Sequence, residues 1–269
     1  MKNILLLIHD DHGQEARVQA ALDLARTLNG HLTCLDIECI PELMSDYATS
    51  AGSIAFEFDE HDRSTHNRTQ IEARLGKEDV AWDWVHEIGD IENIVCHRID
   101  LSDIVVLNSN FDDPNLLQAR DTVSAAVVKA AKPVLAVPAD HLRFTAGGSA
   151  VVAWDGSAPA LAALRAATPI LAYARIVYLL EIDHPHEHGV SAEDGAAYLS
   201  RHGIHSIVRR ENTHGVMDVA TKLLEIIEDI KVDYLVMGAY GHSRFVESLF
   251  GGVTRSLLLK LPVPLILSH

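Results

Sequence analysis

Along the chain, apolar runs of four to seven residues alternate with longer stretches whose apolar positions recur every three or four residues. The runs at 4–8, 32–37, 104–107 and 133–137 read as buried strands. Residues 15–28 carry Val18, Ala21, Leu22 and Ala25 at helical spacing, and 90–99 place Ile91, Ile94 and Val95 on one face. Residues 65–75 and 121–131 read as further helices, and 80–85 alternate as a strand. Residues 41–60 show no period and contain Gly52, so they are expected to form a long loop or irregular insertion.

The same order then returns. After a loop over 138–148 come a strand at 150–154, a helix at 159–171 and a strand at 175–182. A helix at 191–202, a short strand at 206–209 and a strongly periodic helix at 217–230 follow. Strand 234–237 leads into a glycine loop, and 265–267 is the last strand. Asp103-Ile-Val-Val-Leu-Asn lines up with Asp233-Tyr-Leu-Val-Met-Gly at an offset of 130 residues, and Pro133 with Pro264 at 131. A nearly constant offset between separate segments points to one unit written twice. Strands separated by helices imply parallel pairing with right-handed crossovers, an α/β fold of two doubly wound, Rossmann-like halves.

Composition narrows the function. The chain has 269 residues, 48% of them apolar, enough for two cores. The apolar runs fall far short of the ~20 residues of a membrane helix, and no membrane association is expected. The N-terminus, Met1-Lys-Asn-Ile-Leu-Leu-Leu-Ile-His-Asp10, reads as a first strand and not a signal peptide. Lys and Arg total 22 against 38 Asp and Glu, for a formal charge of −16, which disfavours nucleic acid as a partner. Three cysteines, Cys34, Cys39 and Cys96, make no secreted scaffold. A cytoplasmic location is expected.

The candidate chemistry lies in the glycine loop, Val236-Met-Gly238-Ala-Tyr-Gly241-His242-Ser-Arg-Phe-Val-Glu-Ser-Leu-Phe-Gly251-Gly252-Val253-Thr254. Strand, glycine loop and helix start form an arrangement that binds phosphate, because glycine admits the anion and free N–H groups point at it. Turn-making alone would also explain these glycines. GxGxxG and the P-loop pattern are absent, as are GxSxG and HExxH. The loop resembles the ATP-binding signature of the universal stress protein family, G-x2-G-x9-G-S/T. Gly238, Gly241 and Gly251 match, whereas Gly252 stands where the family has Ser or Thr. The backbone N–H groups of Gly252 and Val253 remain, with Thr254 close behind.

The resemblance covers the whole chain as a tandem and implies strand order 3-2-1-4-5 in each half. The domains are expected at 1–143, degenerate, and 144–269, with the nucleotide loop. It implies ATP or ADP as ligand, with Mg²⁺ on the phosphates. Asp155, in Val-Val-Ala-Trp-Asp155-Gly-Ser, matches the family's acid near adenine and ribose, and capping the next helix is its structural alternative. Backbone near Ile182 would meet adenine, and Met237 precedes the first loop glycine. In the first half, Asn108, Phe111 and Asp121 stand where Gly238, Gly241 and Gly251 do, with His9, Asp10 or Asp11 for Asp155. That half is expected to be structural, pairing with the second as an intramolecular pseudo-dimer; a homodimer of the tandem is an alternative.

Other features carry less. His184, His186 and His188 read as a solvated loop, with zinc ligation as the alternative. His242 either donates to phosphate or projects into solvent. The Glu228-Asp229 pair reads as a solvated helix face. Any ATPase activity is expected to be slow, and the rival function is a scaffold or small-ligand protein that binds no nucleotide.

Overall fold

In a computed structural model, residues 1–38, 51–109, 123, 126, 127, 131–183, 189–215, 217–239 and 252–269 are described, 51–62 by backbone alone. The first half comprises β1 (Asn3–Ile8), α1 (Gln14–Leu28), β2 (His31–Glu38), α2 (Ala51–Leu75), β3 (Ala81–Ile88), α3 (Ile91–Arg98), β4 (Ile104–Asn108) and β5 (Val134–Val137). The second comprises β6 (Ser149–Trp154), α4 (Ala158–Leu171), β7 (Ile176–Ile182), α5 (Ala192–Arg201), β8 (Ser206–Glu211), α6 (Val219–Ile230), β9 (Tyr234–Gly238), α7 (Gly252–Lys260) and β10 (Leu265–Ser268). The irregular segment expected at 41–60 is helical from Ala51, so α2 is far longer than its periodic part. Gly52 and Ser53, which read as loop residues, concealed it. Of the helix expected at 121–131, Val123, Ala126, Val127 and Ala131 are described; the first three are buried, whereas Ala131 is exposed with φ +50° and lies outside any helix.

The strands run β3-β2-β1-β4-β5-β10-β9-β6-β7-β8 in one ten-stranded sheet. Each half has the expected order 3-2-1-4-5, and its strands pair in parallel. The two five-stranded sheets are not separate. β5 and β10 pair antiparallel, Leu265 opposite Ala136 and Leu267 opposite Val134, as two-fold related edges must. One core lies beneath α1, α2, α4 and α5, the other beneath α3, α6 and α7, and each runs through both halves. The connection between the halves is part of the first core. Phe144 is buried with its ring centroid 5.3 Å from that of Tyr234, and its N–H donates to Asp23 at 3.0 Å. Burial, and next the nearby Asp233 carboxylate, push the Tyr234 hydroxyl above its ordinary pKa. No described helix is long and apolar enough to cross a membrane.

The repeat extends to single hydrogen bonds. Asp233 accepts from the N–H and hydroxyl of Ser149, at 2.7 and 3.1 Å, where β9 starts beside β6. Asp103 accepts from the N–H groups of Lys2 and Asn3, at 2.5 and 2.9 Å, where β4 starts beside β1. Partial burial opposes ionisation of Asp103, but these N–H groups, the N-terminal charge and Lys132 outweigh it and hold its pKa below 3.8. A carboxylate depressed in the fold stabilises above its unfolded pKa and loses that contribution as pH falls through the folded one. Asp103→Asn is therefore expected to destabilise at pH 7 and to flatten the stability loss below about pH 4. Urea titrations across pH 2–7 check this.

Candidate functional site

At the carboxyl end of β6, Asp155 accepts from the N–H of Ser157 at 2.9 Å, and Ser157 in turn caps Ala160. Ser157 is thus the N-cap of α4, and Asp155 braces the turn before it. Gly156 has φ +73°, and a Cβ there would lie 2.5 Å from the Val190 carbonyl oxygen. The chain returning from β7 is laid on this turn: Val190 N–H donates to the Gly156 carbonyl at 3.0 Å, and the Trp154 indole N–H donates to Val190 at 3.0 Å.

β6 and β9 are neighbours, with Ala153 opposite Met237, so Gly238 falls beside the end of β6. This is the switch point of the second half, where doubly wound folds place ligands. A Cβ on Gly238 would sit 2.5 Å from Ala160 N and Pro159 C, in the first turn of α4. Close packing of strand end on helix start therefore accounts for this glycine without a ligand. Ala239 continues the ladder to Ser268, and His269 Nδ1 lies 2.8 Å from the Ala239 carbonyl oxygen. His269 thus joins the rim of the site; nothing in the sequence pattern marks it.

Gly252 is the first described residue of α7, and among the described residues a Cβ added there would meet nothing within 4 Å. No described atom imposes the glycine in the family's hydroxyl position. Val253 is half-buried, and Thr254 is only 4% exposed, packed under the helix. Met237 is buried, and Ile182 is half-buried at the end of β7. The fold brings Asp155 and Gly238 to the start of α4, with Ile182 on the adjacent strand. Gly241, His242 and Gly251 lie outside the described residues, as do His184, His186 and His188.

In the first half the corresponding crevice is filled. Asp11 accepts from Gly13 N–H at 2.7 Å, the same turn that Asp155 makes. The strand register sets His9 in the Asp155 position, whereas the place before the helix makes Asp11 the counterpart. Six residues on, Arg17 is 2% exposed and grips Asp11 with two bonds of 2.8 and 2.9 Å. It also donates to the carbonyls of Leu7, at 3.1 Å, and His9, at 3.0 Å, and to the amide oxygen of Asn108. Asn108 is in the Gly238 position. Its amide nitrogen would lie 1.8 Å from a Cβ on Gly13, so here the helix start, not the strand end, supplies the glycine for the close approach. Counted from the helix starts, the residue matching Arg17 in α4 is Leu161.

Beyond Ile182, the ends of β7 and β8 border a cleft of about 600 Å³ lined by Glu181, Asp183, Glu193, Arg210 and His214, among others. Its charges are internally engaged. Arg210 donates to buried Glu181 at 2.7 Å and to Glu193 at 2.6 Å, and Asp183 accepts from Thr213. The Arg210 bond holds Glu193 below its ordinary pKa, and the two carboxylates raise that of Arg210. Among the described residues, no group of three His, Cys, Asp or Glu is placed to hold a metal ion. Burial, with Asp83 nearby, pushes the Cys34 thiol up to about 12, which keeps it protonated and unreactive.

The model of the universal stress protein family matches residues 149–269. Among curated proteins, no relative matches the sequence. A universal stress protein from Archaeoglobus fulgidus superposes with a TM-score of 0.77 at 14% identity, covering 99% of this chain and 96% of that one. A functionally unknown protein from Pseudomonas aeruginosa superposes at 0.61 with 14% identity, covering 100% of this chain and 92% of that one. These likenesses establish a shared fold over the full length. Over residues 149–269 the sequence is similar to the universal stress protein family, and the fold of that family extends over the full length.

Proposed function

We propose that the chain is a regulatory nucleotide-binding protein that holds ATP or ADP at the switch point of its second half. The observation that carries this reading is the contrast between the two crevices. The acid of the first is neutralised by a buried guanidinium, whereas the second has Leu161 at that position and, among the described residues, nothing within 4 Å of a Cβ at Gly252. In this reading the chain divides at about 143/144, into a structural half and a binding half.

Asp155 would accept hydrogen bonds from adenine or ribose, and backbone at Ile182 would border the base. The amides of Gly252 and Val253, in the first described turn of α7, would receive phosphate oxygens. Gly238, Gly241, His242 and Gly251 would shape the loop between them. Mg²⁺, where bound, would bridge phosphate oxygens. Hydrolysis, if present, would be slow. Such a protein would work in the cytoplasm as a single chain whose fifth-strand edges already pair with each other.

The described surroundings of Gly252 make the test a gentle one. Gly252→Ser adds the family's hydroxyl without a clash with any described atom and is expected to tighten ATP about 2–10-fold, one hydrogen bond's worth. Gly252→Asp places a carboxylate against phosphate and is expected to weaken it at least about 10-fold. Adenine nucleotide released on denaturing freshly purified protein, compared across the three forms, reads the effect. A scaffold acting through partner contacts predicts no nucleotide in any of them.

A further inference from the structure

We propose that Arg17 is a tethered occupant of the first crevice: its guanidinium takes the place of a ligand there and limits the chain to one ligand site. The limit to one site rests on the reading of the second half given above; the occupancy stands on the first half alone.

Each N–H of the guanidinium has a taker. Nε donates to Leu7, one terminal nitrogen to Asp11 and Asn108, and the other to His9 and Asp11. A guanidinium has five donors in a rigid fork, so this pocket is saturated by its own side chain. The acceptors come from the end of β1, the turn after it and the end of β4, the elements that surround the switch point in the second half. The arrangement also fixes its neighbours. Asn108 turns its oxygen to Arg17, which leaves its buried amide nitrogen without a partner and directed at Gly13. A polar group buried without a partner is costly and is kept only when something else enforces it. Arg17 does so here. The fork can be lost only with the helix residue that carries it, so the crevice stays closed whatever ligand is present.

A pocket shaped for a guanidinium should accept a free one when the side chain is removed. Arg17→Ala is melted alone, with tens of millimolar methylguanidinium, and with methylammonium at equal concentration. Methylguanidinium is expected to raise the melting midpoint of the variant by about 2–4 °C while leaving the unsubstituted protein unchanged, and methylammonium to do nothing in either. Should the variant not fold unaided, its refolding yield with each cation gives the same comparison. Equal effects of the two cations, or an equal response of the unsubstituted protein, would overturn the proposal. The nucleotide reading fails separately, by the absence of any bound nucleotide, and leaves this rescue unaffected.

Discussion

Arg17→Ala is expected to cost about 3–5 kcal/mol of stability, the usual result of removing one partner of a buried ion pair and stranding the other. Asp11 is left behind with a side chain only 6% exposed and no guanidinium to neutralise it. The carbonyls of Leu7 and His9 lose a donor in the same step. Most of the loss should come from the stranded charge. Arg17→Leu with Asp11→Asn, which removes the charge and keeps apolar volume as in α4, is therefore expected to lose much less than Arg17→Ala. Urea unfolding of the two variants checks both statements. Breaking a more exposed pair such as Arg68 with Glu72 should change stability by only about a few tenths of a kcal/mol.

The second large effect is expected at Gly238. The Cβ of Gly238→Ala meets Ala160 N and Pro159 C at 2.5 Å, backbone atoms that move only if α4 moves. Overpacking of this kind costs about 1–3 kcal/mol. The substitution should also weaken ligand binding, because it displaces the start of α4 from the end of β9. A loss of affinity at this position therefore reports packing as much as phosphate contact. Gly252, where no described atom lies within 4 Å of an added Cβ, separates the two: its substitutions should alter binding while the melting temperature stays nearly constant.

Much of this architecture can be read from the chain itself. The strand and helix periods locate nearly every described element, and the offset of 130 residues recurs in the bonding of Asp103 and Asp233. The N-caps Ser157, Ser191 and Asp218 are ordinary helix-start signals. The part of α2 from Ala51 to residue 64 is hidden because Gly52 and Ser53 read as loop residues. The joining of β5 to β10 is consistent with the pseudo-dimer that the repeat suggests, although no local pattern specifies it. The filled first crevice is hidden for a different reason. Arg17, Asp11 and Asn108 come together only through the fold, Asn108 from 91 residues away. The available hint is an arginine set between Ala16 and Val18, in a helix whose other buried positions, Gln14 apart, are apolar. Gly238 shows the converse: its spacing suggests phosphate, and its surroundings explain it by packing.

The most direct test of the account is a calorimetric titration of the full chain with ATP and Mg²⁺, repeated on Gly252→Asp. One nucleotide per chain, lost or weakened at least about 10-fold in the variant at unchanged stability, is the predicted result. No binding to the unsubstituted protein, two sites per chain, or equal affinity in the variant would contradict it.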